Sequence, residues 1–218
     1  MLGVDFFHCV LSDARVLNSK PAISVIVRTL RRTARLGECL ASLAAQTSRE
    51  VEIVVVDMSG GSAREVMAAQ KGLRVVHLDT GGRVLNRPVA LNFGISRASG
   101  KYIAVLDDDN LWEPGQAATL IRLLDNGEAD LAYTGVTRRY FTPDGEAVSE
   151  NQFHALFDGV RLLFGNFIYT STMAFRKDAW ELAGRFDAAF PVYEDWEFLI
   201  RLTRSGKVVT EPSAGLVS

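Results

Sequence analysis

Tyr102-Ile103-Ala104-Val105-Leu106-Asp107-Asp108-Asp109 runs from five apolar residues straight into three aspartates. A short continuous apolar run of this kind predicts a strand buried on both faces, with the aspartates at its carboxyl end where a loop begins. Like charges this close repel one another and raise each other's pKa, so the cluster is costly unless a cation or hydrogen-bond donors share it. Hard oxygen ligands suit magnesium or manganese. For an arbitrary acidic triplet, a solvated turn before a helix is the plainer reading. Here the flanking sequence points to a site.

On both sides of this strand, apolar runs and amphipathic stretches alternate, which predicts an α/β domain whose sheet is covered on both faces. Residues 23–27 predict a first strand, and 34–46 a helix with Leu36, Cys39, Leu40 and Leu43 at helical spacing. Residues 51–56 predict a second strand ending at Asp57, 62–71 a helix closed by Gly72, and 73–78 a third strand. A helix over 88–98, stopped by Gly100, feeds the strand that ends in the aspartates. Glu113-Pro114 opens a further helix through Leu124, ended by Gly127. Beyond it the pattern predicts strands over 131–141 and 168–176, with Pro143-Asp144-Gly145 as a turn. Residues 1–20 have no clear pattern and read as an N-terminal extension to a domain over 21–218.

In such open sheets, ligands collect beyond the carboxyl ends of the strands. Arg28-Thr29, Asp57, Asp79 and the aspartate trio stand at the ends of successive strands. Any one of these aspartates could merely cap the next helix, but together they converge on one rim. A dinucleotide-binding domain would need a glycine-rich turn after the first strand. The turn Arg28-Thr29-Leu30-Arg31-Arg32 contains no glycine, and no phosphate loop ending in Lys and Ser or Thr is present. A carboxylate-bound divalent cation can hold a phosphate instead.

With these features in place, the sequence resembles glycosyltransferase family 2, whose members have the GT-A fold, a mixed, mostly parallel sheet flanked by helices. The resemblance rests on four segments in order: Ile23 to Thr29 with Leu40 to Gln46 behind it, Glu52 to Asp57, Arg87 to Leu111, and Gly184-Arg185-Phe186-Asp187 followed by Glu194-Asp195-Trp196-Glu197 and on to Leu202. It implies a nucleotide-binding part over about 21–112 and an acceptor-side part over about 113–218. It further implies metal-assisted transfer of a sugar from a nucleotide diphosphate donor to an acceptor hydroxyl, with inversion. By family frequency the donor base is uracil; the acceptor is a glycan, a lipid-linked molecule or a small molecule.

By the same resemblance, Asp57 hydrogen-bonds the base, with Arg28 and Thr29 packed around it. Asp107 and Asp109 match the family's Asp-any-Asp motif and would hold Mn2+ or Mg2+, with Asp109 in direct contact and Asp107 or Asp108 nearer the ribose. Asn110 stands where many relatives carry a fourth acidic residue. Arg87 occupies a position that is often basic near the donor, and Asn92 matches a family Asn with a structural role. Asp195 matches the family's general base, at the start of a helix with Trp196, Leu199 and Leu202 on one apolar side. Glu194 and Trp196 would bind the acceptor. The chemistry needs both acidic sites. The leaving diphosphate takes on charge that a metal can stabilise, and on the opposite face a metal-free base must take the hydroxyl proton.

The chain has 218 residues, 48% hydrophobic and 23% charged, with a net charge of −2. Scattered basic residues give no footprint for nucleic acid. No apolar run is long enough for a transmembrane segment, so the expected location is cytoplasmic, with peripheral membrane association left open. The two cysteines, Cys9 and Cys39, read as reduced structural thiols. His8, His77 and His154 have no partner at ligand spacing, and each reads as a surface or strand-end residue. Two rival functions remain: a nucleotide-sugar-binding module without catalysis, and a nucleotidyltransferase, which would normally carry the glycine-rich loop that is missing here.

Overall fold

A computed structural model of the protein describes residues 7–8, 20–70, 72–141 and 147–217. Cys9, most of the N-terminal extension and the expected turn at 143–145 lie outside the described residues. In chain order the elements are β1 (Phe7–His8), β2 (Ile23–Thr29), α1 (Thr33–Ala44), β3 (Val51–Asp57), α2 (Ala63–Ala69), β4 (Arg74–Asp79), α3 (Arg87–Arg97), β5 (Tyr102–Asp107), β6 (Leu111–Trp112) and α4 (Gln116–Gly127). There follow β7 (Leu131–Phe141), β8 (Ala147–Phe153), α5 (Gly159–Leu162), a 3-10 turn (Thr170–Thr172), β9 (Met173–Arg176), α6 (Lys177–Leu182), α7 (Glu194–Thr203) and β10 (Val208–Val217).

One sheet carries these strands in the order β1-β4-β3-β2-β5-β9-β7-β10-β6, with β8 paired to β7. β4, β3, β2 and β5 are parallel neighbours, whereas β9 runs antiparallel to both β5 and β7. The order reverses at β2, between β3 and β5, which opens a crevice beyond their carboxyl ends.

The period-2 alternation of the buried strands divides the core into two layers. Val25, Val27, Ile53, Val55, Ala104 and Leu106 face α1 and α4, meeting Leu36, Leu40, Leu120 and Leu124. Ile26, Val54, Val56, Ile103 and Val105 face α3 and α7, meeting Ala90, Leu91, Phe198 and Leu199. Each such side chain contributes about 1.5–3 kcal/mol on burial, so residues that satisfy both faces leave little freedom in register. The apolar face expected on α1 is buried at Leu36, Cys39, Leu40 and Leu43.

At the amino ends of the strands, buried Glu52 accepts from Ser24 Oγ at 2.5 Å and from the Ser99 N–H at 2.8 Å. Gly100 is required there, because a Cβ would lie 2.7 Å from the Ser24 backbone nitrogen. These contacts lock the α3–β5 turn against β2, so that β5 delivers its aspartates at a fixed height.

One expectation fails in part, and one boundary shifts. The segment 168–176 is a strand only over Met173–Arg176; the residues before it form a 3-10 turn, because Thr170, Ser171 and Thr172 are polar on both parities and turn inward. The helix expected from Glu113-Pro114 begins at Gln116, with Gly115 as its cap residue. No helix among the described residues is long and apolar enough to cross a membrane.

Candidate active site

Parallel pairing of β2 with β5 sets Arg28 beside Asp107. Arg28 Nη2 lies 3.4 Å from Asp107 Oδ1, and Thr29 Oγ1 donates to Asp108 Oδ2 at 2.7 Å. Arg32 spans Asp109 at 2.9 Å and Asp108 at 3.4 Å. The turn after β2, which lacks glycine, therefore supplies cations to the acidic trio. Burial pushes the Asp108 carboxyl up; Thr29 and Arg32 pull it back and Asp109 pushes it further, leaving it above the ordinary value. The same aspartates, after burial itself, push the thiol of buried Cys39 far up, so that it stays an inert apolar filler.

Arg87 begins α3, whose start is fixed by Asn86 accepting from the Val89 N–H at 3.1 Å and by Pro88 in the first turn. Its Nη2 lies 3.1 Å from Asp107 Oδ2. Its Nε makes an ion-pair contact with Glu194 Oε1, although the two atoms are not aligned for a hydrogen bond. Burial pushes Glu194 up and Arg87 opposes it without cancelling it. Arg87 itself is lowered by burial but raised more by Asp107, Glu194 and Asp195. One guanidinium thus ties the aspartate loop to the first residue of α7.

Asp195 is half-buried in the first turn of α7. Its Oδ2 accepts from Thr170 Oγ1 at 2.7 Å and from Asn166 Nδ2 at 3.2 Å. Tyr193, the residue before α7, has φ 63°, a left-handed conformation that is strained for an aromatic residue and turns the chain into the helix. A cavity of about 660 Å³ is lined by Asp107, Asn110, Arg87 and Asp195 together with Thr170 and Ser171. The 3-10 turn joins its two sides. Ser171 Oγ accepts from the Asp107 N–H at 3.2 Å and from Asn110 Nδ2 at 3.0 Å, while the adjacent Thr170 holds Asp195.

Asp57 is set apart from this cavity and is fully buried. Oδ1 accepts from the N–H of Ser59 at 2.9 Å and from its hydroxyl; Oδ2 accepts from the Ala63 N–H and meets His77 Nε2, both at 3.2 Å. Burial raises this carboxyl, but His77, Ser59 and Ala63 together outweigh it and hold the group well below the usual carboxylate range. These contacts occupy the roughly four lone-pair positions of a carboxylate. Trp196 does not line the cavity. It packs on the second core layer and its Nε1 donates to the Leu162 carbonyl at 2.6 Å. Asn92 brackets Phe186, donating to its carbonyl at 2.7 Å and accepting from its N–H at 3.1 Å, which is the structural role expected of it.

Sequence reasoning missed Thr170, Ser171 and Asn166 because they fall in an expected strand or a loop. Their signal was the unbroken polar run Thr170-Ser171-Thr172, which no half-buried strand would carry. It also read His77 as isolated, whereas the side chain is buried against Asp57. Val55 pairs with His77 in the β3–β4 register, so His77 reaches Asp57 from two residues along the neighbouring strand.

Among the described residues, no three His, Cys, Asp or Glu side chains converge to hold a metal. A protein-only cage is therefore not what this loop offers. Divalent cations at phosphate sites commonly use one or two carboxylates and take their remaining ligands from phosphate oxygens and water. Asp109, whose side chain is 48% exposed and, among the described residues, pairs with exposed Arg32, fits that arrangement.

An open sheet with its strand order reversing beside an acidic loop, and a second carboxylate across a shared cavity, defines the nucleotide-diphospho-sugar transferase architecture, the GT-A fold. The profile of glycosyl transferase family 2 matches residues 24–183, and the chain belongs to that family. A PGL/p-HBAD biosynthesis glycosyltransferase of Mycobacterium tuberculosis is 32% identical over 200 residues, covering 87% of this chain and 73% of the relative. Among solved structures, S. aureus TarS in complex with UDP-GlcNAc superposes with TM-score 0.73 at 18% identity, covering 90% of this chain and 58% of TarS. The mannosyltransferase PcManGT from Pyrobaculum calidifontis, in complex with GDP-Man and Mn2+, gives TM-score 0.67 at 18% identity, covering 92% of this chain and 57% of the other. The chain thus spans less than two thirds of those solved chains, and these likenesses bear on the fold.

Proposed function

We propose that the protein transfers a hexosyl group from a nucleoside diphosphate sugar to an acceptor hydroxyl, with inversion and with help from Mn2+ or Mg2+. The observation that carries this is the single cavity lined by both Asp107 and Asp195. A nucleotide-sugar donor accords with the UDP-GlcNAc and GDP-Man bound by the two structural neighbours, and Mn2+ with the ion bound by one of them. Uracil is the base we favour.

In this reading the base lies beside Arg28 and Thr29. It engages Asp57 by displacing the hydroxyl of Ser59, a contact that a rotation of one side chain releases. Asp107 and Asp108 would lie nearest the ribose, and Asp109, with Asp107, would hold the cation. When bound, that ion supplies Lewis-acid stabilisation of the leaving diphosphate. Arg87 adds fixed positive charge beside the donor.

On the acceptor side, the hydroxyl oxygen attacks the anomeric carbon from the face opposite the diphosphate. The carbon–oxygen bond to the leaving group breaks as the new one forms, which inverts the centre. Asp195 takes the hydroxyl proton. Because Thr170 and Asn166 both donate to Oδ2, Oδ1 is the oxygen assigned to the base role. Glu194 holds Arg87 in place and Trp196, bonded to the Leu162 carbonyl, anchors the first turn of α7, so both would shape acceptor binding indirectly, through the positions of Arg87 and Asp195.

The experiment is a turnover assay over a panel of UDP- and GDP-sugars with candidate acceptors, reading nucleoside diphosphate release and the anomeric configuration of the product by NMR. Wild-type turnover with an inverted product, lost in Asp195→Asn, supports the proposal. A pure binding module would show no turnover in either protein, and release of pyrophosphate from a nucleoside triphosphate would indicate a nucleotidyltransferase.

A further inference from the structure

The cavity contains two cations that the transfer chemistry leaves unused. Arg138, on β7, and Arg161, on α5, both line it. Arg28, Arg32 and Arg87 are all paired with carboxylates. Among the described residues, neither Arg138 nor Arg161 pairs with one. They lie instead against aromatic rings: the Arg138 guanidinium is 5.1 Å from the Tyr169 ring centroid and 5.5 Å from that of Phe153, and Arg161 is 4.8 Å from that of Phe167. A ring face supports the cation without consuming its N–H donors, which lie in the guanidinium plane.

Their position in the cavity is informative. Tyr169 precedes Thr170, and Phe167 follows Asn166; Thr170 and Asn166 are the two donors to Asp195. Each arginine therefore stacks on the residue next to one that orients the base. The donor diphosphate belongs at the other rim, beside the aspartate trio, where Arg28, Arg32 and Arg87 already stand. Two unneutralised guanidiniums against the one carboxylate of Asp195 leave this side of the cavity net positive, a potential that concentrates anions.

We infer that Arg138 and Arg161 form an anion subsite for the acceptor, which carries a phosphate or a carboxylate near the hydroxyl that is glycosylated. The inference rests on the transferase reading of this cavity. The planar forks of both arginines match the oxygens of either anion. The rings of Tyr133, Phe153, Phe167 and Tyr169 line the space around them and suit an apolar or ring-bearing body attached to that anion.

The test uses phenyl phosphate, benzoate and benzyl alcohol as probes, titrated calorimetrically into the protein saturated with UDP and Mn2+, and again into the protein alone. Phenyl phosphate or benzoate should bind at least tenfold more tightly than benzyl alcohol. Arg138→Gln and Arg161→Gln should each weaken the better anion at least tenfold while leaving melting temperature and UDP affinity close to wild type. Which anion binds more tightly distinguishes phosphate from carboxylate. Equal binding of the neutral alcohol, or anion affinity unchanged in both variants, would overturn the inference. So would a parallel loss of UDP affinity, which would assign the arginines to the donor diphosphate. Failure of UDP to bind the wild type counts against the transferase reading instead, and the titrations without UDP still report on the arginines.

Discussion

Arg87 Nη2 lies 3.1 Å from Asp107 Oδ2, and the same guanidinium touches Glu194, the residue before Asp195. The two acidic centres, far apart in sequence, are tied by this one side chain as well as by the 3-10 turn.

Replacing Arg87 with Met should be costly twice over. Glu194 is buried and would lose its counter-charge, an effect of about 2 kcal/mol once the partial exposure of Arg87 is allowed for. Melting temperature should drop by several degrees, and the double variant Arg87→Met/Glu194→Gln should recover much of it. Activity should not recover with it, because the positive charge beside the donor is still absent; recovery of kcat in the double variant would show that Arg87 acts only as a structural tie.

Thr170→Val removes one donor to Asp195 and preserves shape. With Asn166 still present, kcat should fall by roughly tenfold, consistent with loss of one hydrogen bond to a charged group of about 1.5 kcal/mol, while KM for the donor stays near wild type. Asp195→Asn should cost roughly 100-fold or more in kcat with nucleotide affinity unchanged. A rise in donor KM with unchanged kcat in Thr170→Val would place the turn on the donor side instead.

Much of the first half of this molecule was legible from its pattern. Short apolar runs such as 53–56 and 102–106, rich in β-branched residues and bounded by turn signals, read as strands buried on both faces, and the residues at their ends fall on one rim by topology. The second half was less readable because its determinants are pairwise and distant. Thr170 and Ser171 look like interruptions in a strand until Asp195 and Asn110 are brought against them, and His77 looks isolated until β3 and β4 are set in register. Arg138 and Arg161 carried no motif, since an arginine is marked out only by what it lies against.

Asp57 gives an acid-side prediction. Its carboxyl is held well below the usual range in the folded protein, whereas in the unfolded chain it protonates near pH ~4. The stability this group contributes is therefore fully present above about pH 4 and is lost progressively as pH falls from there toward the lower folded value. Chemical denaturation between pH 3 and 7 should show that loss. Asp57→Asn should be less stable at neutral pH and show a flatter acid limb; an unchanged limb would mean that another carboxylate dominates.

Gly100→Ala tests the packing that fixes the height of β5. The added Cβ would lie 2.7 Å from the Ser24 nitrogen and 2.9 Å from the Ile23 carbonyl carbon, both backbone atoms that cannot rotate away. A loss of about 2 kcal/mol or more is expected in urea denaturation. A neutral effect would show that the α3–β5 turn relaxes freely and does not set the position of the aspartates.

The most direct measurement is calorimetric titration of UDP into wild type, Asp109→Asn and Asp195→Asn, each with and without Mn2+. Tight binding to wild type only when the ion is present, loss of that binding in Asp109→Asn and its retention in Asp195→Asn would assign the cation and the nucleotide to the aspartate rim and leave Asp195 for the acceptor. Binding that ignores the metal, or that survives in Asp109→Asn and fails in Asp195→Asn, would contradict that division of the cavity.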